Sequence, residues 1–334
     1  MSLNIALAMP SHTAQAVFPP RILEPLEPAL TLLGREPIQN FTSPAGRSML
    51  AQVDILLTGW GCPPIDDEVL DAAPRLRYVL HAAGSVKHHI GTACWERGIH
   101  VSSAADANAI PVAEYTVAMI ILANKHVLHI SRALHTSRTQ VFAEQLFPAM
   151  GNYRKRVGII GASKIGRHVI RLLSSYDLDV VVADPFLSAE EAAVLGVELV
   201  SLDELVTGCD VVSLHAPSLP STKNLMDAAQ IERMRPGSTF INTSRGELVD
   251  QDALLERVER GDLYAILDVT TPWVLPAESR LYTHPNVLLT PHIAGSLGNE
   301  LERMASSAVG EALRLSRGEK LRFPVLERDL EFTA

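Results

Sequence analysis

The residues best suited to chemistry form a glycine turn that is followed by an acid. Residues 156–167 read RVGIIGASKIGR, in which an apolar run leads to Gly161 and Gly166 and then to a helical pattern. A strand, a glycine turn and a helix in this order are the context of a dinucleotide-binding fingerprint, because Gly161 permits a tight turn and Gly166 lets the helix pack closely on the strand. The next apolar run ends at Asp184, 18 residues beyond Gly166. A carboxylate at about this spacing of roughly 20 residues accepts hydrogen bonds from ribose hydroxyls.

The turn departs from the full glycine pattern at one position. Ser163 stands where the middle glycine would let the backbone approach a pyrophosphate, although a small hydroxyl side chain can itself donate to phosphate. Pro185, Phe186 and Leu187 supply no arginine for a 2′-phosphate, so the sequence favours NAD over NADP. The alternative is a bare strand–turn–helix unit that binds no ligand.

Two further residues follow predicted strands and carry useful chemistry. Arg245 comes just after a strand, at the edge where α/β sheets bind ligands, and a guanidinium can grip a carboxylate and a keto oxygen together. His292 lies in a Thr-Pro-His segment after the last strand, and imidazole titrates near neutrality, so it can exchange a proton with a carbonyl oxygen. The alternatives are a surface arginine in a turn and a structural histidine.

The elements that must position these residues are short apolar runs that alternate with helical patterns. The predicted strands are Ile5–Ala8, Ile55–Leu57, Tyr78–Leu80, Ile99–Val101, Val157–Ile160, Val180–Ala183, Val211–Leu214, Thr239–Asn242, Ala265–Val269 and Val287–Leu289. Helices are predicted between them, for example over Ile65–Ala72 and Thr92–Arg97. Continuously apolar strands separated by helices indicate parallel sheets covered on both faces, and the clear restart at Arg156 indicates two α/β units.

Two longer helices frame the second unit. Pro111 suits the first turn of a helix and Glu114 suits its positive end, so a helix is predicted from there through Ala123. A polar stretch at 132–144 and a loop at 148–151 then lead into the glycine-turn strand. The final helix is predicted over about Gly298–Arg317, and the sequence does not say which unit it packs against.

Composition narrows the class of protein. The chain has 334 residues, enough for two domains with cores of their own, and its net charge of −9 offers no basic field for nucleic acid. The three cysteines form no CxxC motif and no histidine pair has a ligand context, so neither a disulfide framework nor a metal site is predicted. Residues 1–12 lack the basic start of a signal peptide, and the apolar stretch Val112–Leu128 contains charged residues. We therefore expect a cytoplasmic protein without a membrane or nucleic-acid partner.

Several segments, taken in chain order with the glycine turn, resemble the D-isomer-specific 2-hydroxyacid dehydrogenase family, the relatives of phosphoglycerate dehydrogenase. They are Val212–Pro217 (VSLHAP), Ile241–Asp250 (INTSRGELVD), Ala265–Val269 (AILDV) and Leu289–Gly295 (LTPHIAG). The resemblance is specific from Val157 to Gly295. It is looser in the first unit, where residues 80–86 (LHAAGSV) and 111–114 (PVAE) match.

The resemblance implies an α/β fold of two Rossmann-like domains with an active-site cleft between them. A flavodoxin-like substrate domain would comprise residues 1–106 plus 299–334, and an NAD-binding Rossmann domain would comprise 107–298. The resemblance further implies NAD as cofactor, a small 2-oxo acid or D-2-hydroxy acid as substrate, and a homodimer formed through the NAD-binding domain.

The resemblance also assigns roles to individual residues. Arg245 is implied to grip the substrate and His292 to be the general acid/base. Gly84 and Ser85 are implied to offer backbone N–H groups to the substrate carboxylate. The residues implied to contact the cofactor are Gly161, Ser163, Lys164, Ile165, Gly166, Asp184, His215, Pro217, Thr243 and Asp268.

One departure from the family pattern bears on catalysis. The family's catalytic carboxylate lies five residues after the aspartate matched by Asp268, and here that position is Trp273. Tryptophan has only an indole N–H donor and cannot orient or charge-stabilise the histidine as a glutamate does. Three interpretations follow: Glu278 reaches the site from an altered loop, His292 works unaided, or Trp273 shapes a pocket for an unusual substrate while catalysis is slow or lost.

Two functions therefore compete. The first is an NAD-dependent oxidoreductase acting on a D-2-hydroxy acid or its 2-oxo acid, supported by the ordered set of Asp184, Arg245, Asp268 and His292. The second is an NAD(H)-binding regulator or scaffold on the same fold, supported by Trp273 and Ser163. We rank the oxidoreductase first, because a chain without chemistry has no physical need for both an arginine and a histidine at these positions.

Overall fold

A computed structural model describes residues 3–331 of the chain. The strands are β1 (Asn4–Ala8), β2 (Thr31–Leu32), β3 (Ile55–Thr58), β4 (Tyr78–His81), β5 (His100–Ser103), β6 (Arg156–Ile160), β7 (Asp179–Ala183), β8 (Glu198–Leu199), β9 (Val211–Leu214), β10 (Thr239–Asn242), β11 (Tyr264–Leu267), β12 (Val287–Leu289) and β13 (Pro324–Val325). The helices are α1 (Ser11–Val17), α2 (Pro20–Leu23), α3 (Pro44–Leu50), α4 (Asp67–Ala72), α5 (Thr92–Glu96), α6 (Ala105–Asn124), α7 (Val127–Ser137), α8 (Ala143–Leu146), α9 (Lys164–Leu173), α10 (Ala189–Leu195), α11 (Leu202–Gly208), α12 (Ala228–Arg233), α13 (Gln251–Glu259) and α14 (Leu301–Ser316). Short 3₁₀ turns occur at Glu24–Leu26, Pro220–Thr222, Gly246–Leu248, Arg280–Tyr282, Gly298–Glu300 and Glu327–Glu331.

The described residues form two compact units. The first unit contains residues 3–108 together with 296–331, and the second contains Ala109–Gly295. Each unit has a sheet of its own with apolar clusters packed on both faces. This accounts for the continuously apolar strands, because a strand covered on both faces has no water-facing side.

The sheet of the first unit has the strand order β13-β5-β4-β3-β1-β2. All its pairings are parallel except the short β13, which runs antiparallel to β5. The five parallel strands thus follow the order 2-1-3-4-5 of flavodoxin-like sheets.

The sheet of the second unit has the order β12-β11-β10-β9-β6-β7-β8, and every pairing is parallel. Counted from β6, this is the Rossmann order 3-2-1-4-5-6 with one strand added. The order reverses between β6 and β9, and α/β sheets bind ligands at the carboxyl end of such a switch point. The predicted fold class, two Rossmann-like α/β sheets, is confirmed.

All ten predicted strands are present; three have the predicted bounds, and the ends of the others are shifted by at most two residues. The three strands that the pattern missed are β2, β8 and β13, each two residues long. A two-residue edge strand carries no periodicity of its own, so only pairing with a neighbour creates it.

The predicted start of the long helix is wrong. Helix α6 begins at Ala105, so Pro111 lies inside it and Glu114 lies beyond its first turn, where Asp106 stands instead. The polar stretch at 132–144 is also partly helical, because α7 continues through Ser137. Helix α6 is long and apolar enough to cross a membrane by length and composition. Its residues Ala113, Val117 and Ile120 are nevertheless buried in the apolar cluster of the second sheet, which is the environment of a core helix.

The final helix belongs to the first unit, which the residue pattern left open and the family resemblance implied. Helix α14 buries Ala305, Ala308 and Val309 in the apolar cluster that also contains Leu57 and Leu80 of the first sheet. It therefore completes the core of a unit whose other residues lie at the opposite end of the chain.

The role of α14 predicts contrasting effects at two adjacent positions. Ala305 is fully buried and Ser306 is exposed. Ala305→Asp places an unpaired charge in the core and is expected to lower the free energy of unfolding by about 3 kcal/mol or more. Ser306→Asp, the matched control, is expected to change it by less than about 0.5 kcal/mol. Equal effects of both variants in urea unfolding would show that α14 does not pack as described.

Candidate active site

The glycine turn joins β6 to α9 at the switch point of the second sheet. Gly161 has a φ of +95°, and a Cβ there would lie 2.7 Å from the backbone nitrogen of Ala216. A Cβ on Gly166 would lie 2.0 Å from the carbonyl oxygen of Gly161. The turn therefore tolerates no side chain at either position, because protein backbone occupies the space that a Cβ would take.

Ser163 has a structural role in this turn. It is the N-cap of α9, and its Oγ accepts a hydrogen bond from the Gly166 N–H at 3.4 Å. Lys164 and Ile165 form the first helical turn, with Lys164 exposed and Ile165 packed against the core. The N-terminus of a ten-residue helix thus adjoins the turn, and its dipole favours an anion such as a pyrophosphate.

Asp184 stands at the end of β7, next to the glycine turn. Its Oδ2 accepts a hydrogen bond from the Ala162 N–H at 2.6 Å, and its Oδ1 accepts one from the Phe186 N–H at 2.8 Å. A carboxylate offers about four acceptor sites, so ribose hydroxyls can still bind to it. The neighbouring guanidinium of Arg167 is engaged by the Ala162 carbonyl and by Glu191, which opposes its use for a 2′-phosphate.

His215 follows β9, on the other side of the switch point. Its Nε2 lies 2.9 Å from the Ser213 hydroxyl, whereas its buried Nδ1 has no hydrogen-bond partner in the described part of the chain. Burial lowers the pKa of His215 to about 3, so the ring is neutral. A buried ring nitrogen without a hydrogen-bond partner beside the glycine turn can form a hydrogen bond with a ligand group. Pro217 continues this loop and is half-buried.

The turn, the helix N-terminus, the acid and the orphaned nitrogen together fit a dinucleotide. The main-chain contact from Gly161 N–H to the Ala183 carbonyl, 2.9 Å, ties β6 to β7 at this end. NAD would be held by the backbone around Gly161 and Gly166, by the α9 N-terminus and by Asp184.

The loop after β10 presents Arg245. The Asn242 side chain donates to the Arg245 carbonyl at 2.8 Å and accepts from the Ser244 N–H at 2.9 Å. These two hydrogen bonds fix the conformation of the loop. The Ser244 hydroxyl donates to the Leu214 carbonyl at 2.8 Å and ties the loop to β9. Thr243 is buried, with its hydroxyl 3.2 Å from that of Thr116 on α6.

The guanidinium of Arg245 is a cation that forms no ion pair with any residue among 3–331. It is half-buried and donates to the Ser244 carbonyl at 2.7 Å. Burial lowers its pKa from the usual value for arginine, and the charge of the Glu247 carboxylate opposes this shift. A guanidinium remains protonated in proteins, so this desolvated positive charge is a ready site for a carboxylate.

Asp268 organises the loop that carries His292. It is fully buried after β11, and its Oδ1 accepts from the Thr290 hydroxyl at 2.6 Å and from the Ile293 N–H at 2.8 Å. Its Oδ2 accepts from the Ala294 N–H at 2.9 Å. The loop after β12 is thus fastened to the end of β11 by one carboxylate. Contact of Asp268 with the cofactor stays a prediction.

His292 sits at the bend of this fastened loop. Its backbone is left-handed, with a φ of +56°, and its N–H donates to the carbonyls of Asp268 and Thr290 at 2.9 and 3.0 Å. Its ring Nδ1 is buried, and no described residue forms a hydrogen bond to it. Burial lowers the pKa of His292 below its ordinary 6.5; the Asp268 carboxylate opposes this shift and the Arg245 charge adds to it.

Trp273 stands against the ring of His292. The two ring centroids are 4.6 Å apart with an interplanar angle of 35°. Glu278 is exposed and forms no hydrogen bond to His292, so the interpretation in which Glu278 reaches the site is wrong. The other two interpretations, an unaided histidine and a reshaped pocket, remain.

The predicted substrate loop lies in the first unit. Gly84 and Ser85 follow β4 and are half-buried, and Ser85 Oγ accepts from the Lys87 N–H at 3.5 Å. A Cβ on Gly84 would meet nothing closer than 3.7 Å. Their predicted backbone contacts with a substrate stay a prediction.

Sequence reasoning missed two residues that support the site. The Tyr115 hydroxyl on α6 lies 2.8 Å from the Thr290 hydroxyl, which in turn donates to Asp268. Thr290 stood in the Thr-Pro-His segment, so a polar side chain beside the histidine was a usable signal. Nothing in the local pattern of α6 distinguished Tyr115.

Comparisons with known proteins agree with this geometry. Residues 117–294 match the family model described as D-isomer specific 2-hydroxyacid dehydrogenase, NAD binding domain. The chain belongs to the D-isomer-specific 2-hydroxyacid dehydrogenase family. This confirms the resemblance and the prediction of NAD as the cofactor.

Among curated relatives of this dehydrogenase family member, D-3-phosphoglycerate dehydrogenase of Mycobacterium leprae is 32% identical over 255 residues, which is 75% of this chain and 47% of the relative. The chain therefore spans about half the length of the curated relatives it matches. Among solved structures, the TT0316 protein from Thermus thermophilus is 28% identical with a TM-score of 0.75, covering 97% of this chain and 100% of that one. A D-isomer specific 2-hydroxyacid dehydrogenase from Lactobacillus delbrueckii ssp. bulgaricus, in an NAD complexed form, shares the fold at 20% identity with a TM-score of 0.80, covering 97% and 100% of the two chains.

The position of Asp184 predicts its effect on cofactor choice. Asp184→Asn removes the charge that we expect to accept from ribose hydroxyls and to repel a 2′-phosphate, while it keeps an acceptor for the Ala162 N–H. NADH binding is expected to weaken about tenfold and NADPH binding to strengthen, as measured by calorimetric titration of each cofactor. Glu190→Gln, an equal loss of charge at an exposed position of α10, should leave both affinities unchanged. An unaltered preference in Asp184→Asn would remove Asp184 from the cofactor site.

Proposed function

We propose that this chain is an NAD-dependent oxidoreductase that interconverts a 2-oxo acid and its D-2-hydroxy acid. The observation that carries the proposal is the unpaired cation of Arg245 near a histidine whose ring nitrogen is also unpartnered. Both follow strands of the sheet whose glycine turn fits NAD. A buried charge without a partner is costly, so its retention indicates a ligand of opposite charge.

In this proposal Arg245 orients the substrate. Its guanidinium grips the substrate carboxylate and keto oxygen, and the positive charge stabilises the oxygen as negative charge develops on it. The low-dielectric surroundings that lower its pKa also strengthen this interaction. Gly84 and Ser85 of the first unit are proposed to add backbone N–H donors to the carboxylate.

His292 is proposed to hold and deliver the proton. Bound NADH supplies the hydride for the carbonyl carbon. His292 gives a ring proton to the carbonyl oxygen, so the C=O double bond becomes a C–O single bond as new C–H and O–H bonds form; in the reverse direction the neutral ring accepts that proton. The loop fastened by Asp268 keeps the imidazole in place through this exchange.

The test is turnover with a panel of 2-oxo acids. Loss of NADH absorbance at 340 nm is expected with at least one of glyoxylate, hydroxypyruvate, phenylpyruvate and the 2-oxo acid formed from D-3-phosphoglycerate. His292→Gln is expected to lower kcat by about 10²- to 10⁴-fold, because general acid/base help is lost. His12→Gln, at an exposed position, is the control and should change nothing. The absence of turnover with every acid would contradict the proposal.

A second candidate function is an NAD(H)-binding regulator or scaffold. The observation that favours it is Trp273, which replaces the family's catalytic carboxylate and contacts His292. This candidate expects NADH binding without turnover and no functional change in His292→Gln. A clear rate loss in that variant would eliminate it.

We propose that the protein acts as a cytoplasmic homodimer. Helix α7 buries none of its residues in the chain, and its Leu128 and Leu134 are 40% and 49% exposed. Phe142, which directly precedes α8, and Leu146, the last residue of α8, are also exposed. This region is anchored to β11 of the second sheet by Tyr264, whose ring centroid lies 5.3 Å from that of His126 and 4.3 Å from that of His129. An apolar surface on ordered helices is typical of a face that a partner covers.

The homodimer proposal predicts a change of mass on mutation of this surface. Leu134→Glu places a charge in the proposed interface and is expected to convert the dimer to a monomer in light scattering coupled to gel filtration. Val194→Glu on α10, at a position 89% exposed, is the matched control and should leave the mass unchanged. Identical masses for wild type and Leu134→Glu would remove this surface from the interface.

A further inference from the structure

The contact between Trp273 and His292 lies at the centre of the proposed site. The ring centroids are 4.6 Å apart, within the distance at which a cation interacts with an aromatic face. Trp273 is 67% exposed, so the indole is not a core residue that happens to touch the histidine.

The backbone that leads into Trp273 is held by polar contacts. The Thr270 hydroxyl lies 2.9 Å from the Pro272 carbonyl and 3.2 Å from that of Trp273. The side chain of Gln251 on α13 forms two hydrogen bonds with the backbone of Thr271: it accepts from the N–H at 3.1 Å and donates to the carbonyl at 3.0 Å. An exposed tryptophan on a loop fixed in this way keeps its position beside the imidazole.

The charged groups that face His292 within the second unit are Asp268 and Arg245. The Asp268 carboxylate accepts its hydrogen bonds from the loop and forms none with the ring of His292. Arg245 is a like charge to an imidazolium and disfavours it. The ring therefore lacks the acidic hydrogen-bond partner that usually fixes a catalytic histidine.

We propose that Trp273 is the positioning residue of His292: its indole face replaces an acidic partner, holds the imidazole in one orientation and favours its protonated form. The negative face of the indole quadrupole attracts an imidazolium more than a neutral imidazole. Contact with the ring also restricts its rotation without a hydrogen bond. The catalytic role of His292 rests on the proposed function, whereas the effect on its protonation does not.

The protonation of His292 tests this directly. NMR titration of ring-labelled histidine, with the signal assigned through His292→Gln, gives the pKa without any turnover. Trp273→Leu is expected to lower the pKa of His292 by about half a unit, because the cation–π attraction is lost. Trp273→Phe should retain most of the wild-type value, and Trp273→Glu should raise it.

Packing alone predicts the opposite sign. If Trp273 only shielded His292 from water, Trp273→Leu would expose the ring and raise its pKa. A raised or unchanged pKa in a folded Trp273→Leu variant would overturn the proposal. Val274→Ala changes the adjacent, 74% exposed apolar residue and should leave the pKa of His292 as in wild type.

The rate profile gives a second measurement if the chain turns over. Reduction needs protonated His292, so its kcat/KM falls as the pH rises through the pKa of His292, and oxidation shows the reverse dependence. Trp273→Leu should move both profiles to lower pH and lower kcat more than it changes KM. If the pKa of His292 shifts as expected but the protein turns over no substrate, the proposed function is contradicted and the role of Trp273 beside His292 stands. If the protein turns over substrate normally but the pKa does not shift, the role of Trp273 is contradicted and the proposed function stands.

Discussion

The buried carboxylate of Asp268 holds the candidate active site in place. Parallel strands end at one edge of a sheet, but the loops beyond them have no ladder to fix them. One desolvated carboxylate accepts the Thr290 hydroxyl and two backbone N–H groups, so the loop that carries His292 becomes part of the rigid sheet. Charge-assisted hydrogen bonds of this kind are stronger than neutral ones, and they leave the histidine side chain free for other contacts.

The same edge combines a rigid frame with unsatisfied groups. Asn242 and Ser244 staple the backbone around Arg245, yet the guanidinium itself forms no ion pair with any of the described residues. His215 and His292 each keep a buried ring nitrogen unpaired. These groups leave hydrogen-bonding capacity at the carboxyl edge of the second sheet that a ligand can fill.

Trp273 gives this family member a local chemistry of its own. A carboxylate beside the histidine would set its protonation through a full charge, whereas an indole acts through a quadrupole and through contact. Burial lowers the pKa of His292, and in our proposal the indole only partly offsets that shift. Trp273 therefore links the two alternatives for function, because the strength of this one contact decides how well His292 can act as an acid.

The sequence by itself determined the two-sheet α/β architecture, the ten longer strands and the places of the candidate site residues at the ends of those strands. Apolar runs and glycine spacing are local, and a strand covered on both faces must be apolar whatever its neighbours are. The residue pattern left open the unit to which α14 belongs, which the family resemblance implied, and only the tertiary structure decided the start of α6 at Ala105 and the partner of His292. These depend on contacts between residues far apart in the chain: Pro111 is tolerated because the surrounding helix packs in a core, α14 is placed by its apolar face, and Trp273 rather than Glu278 meets the imidazole because of how the loop after β11 is fastened.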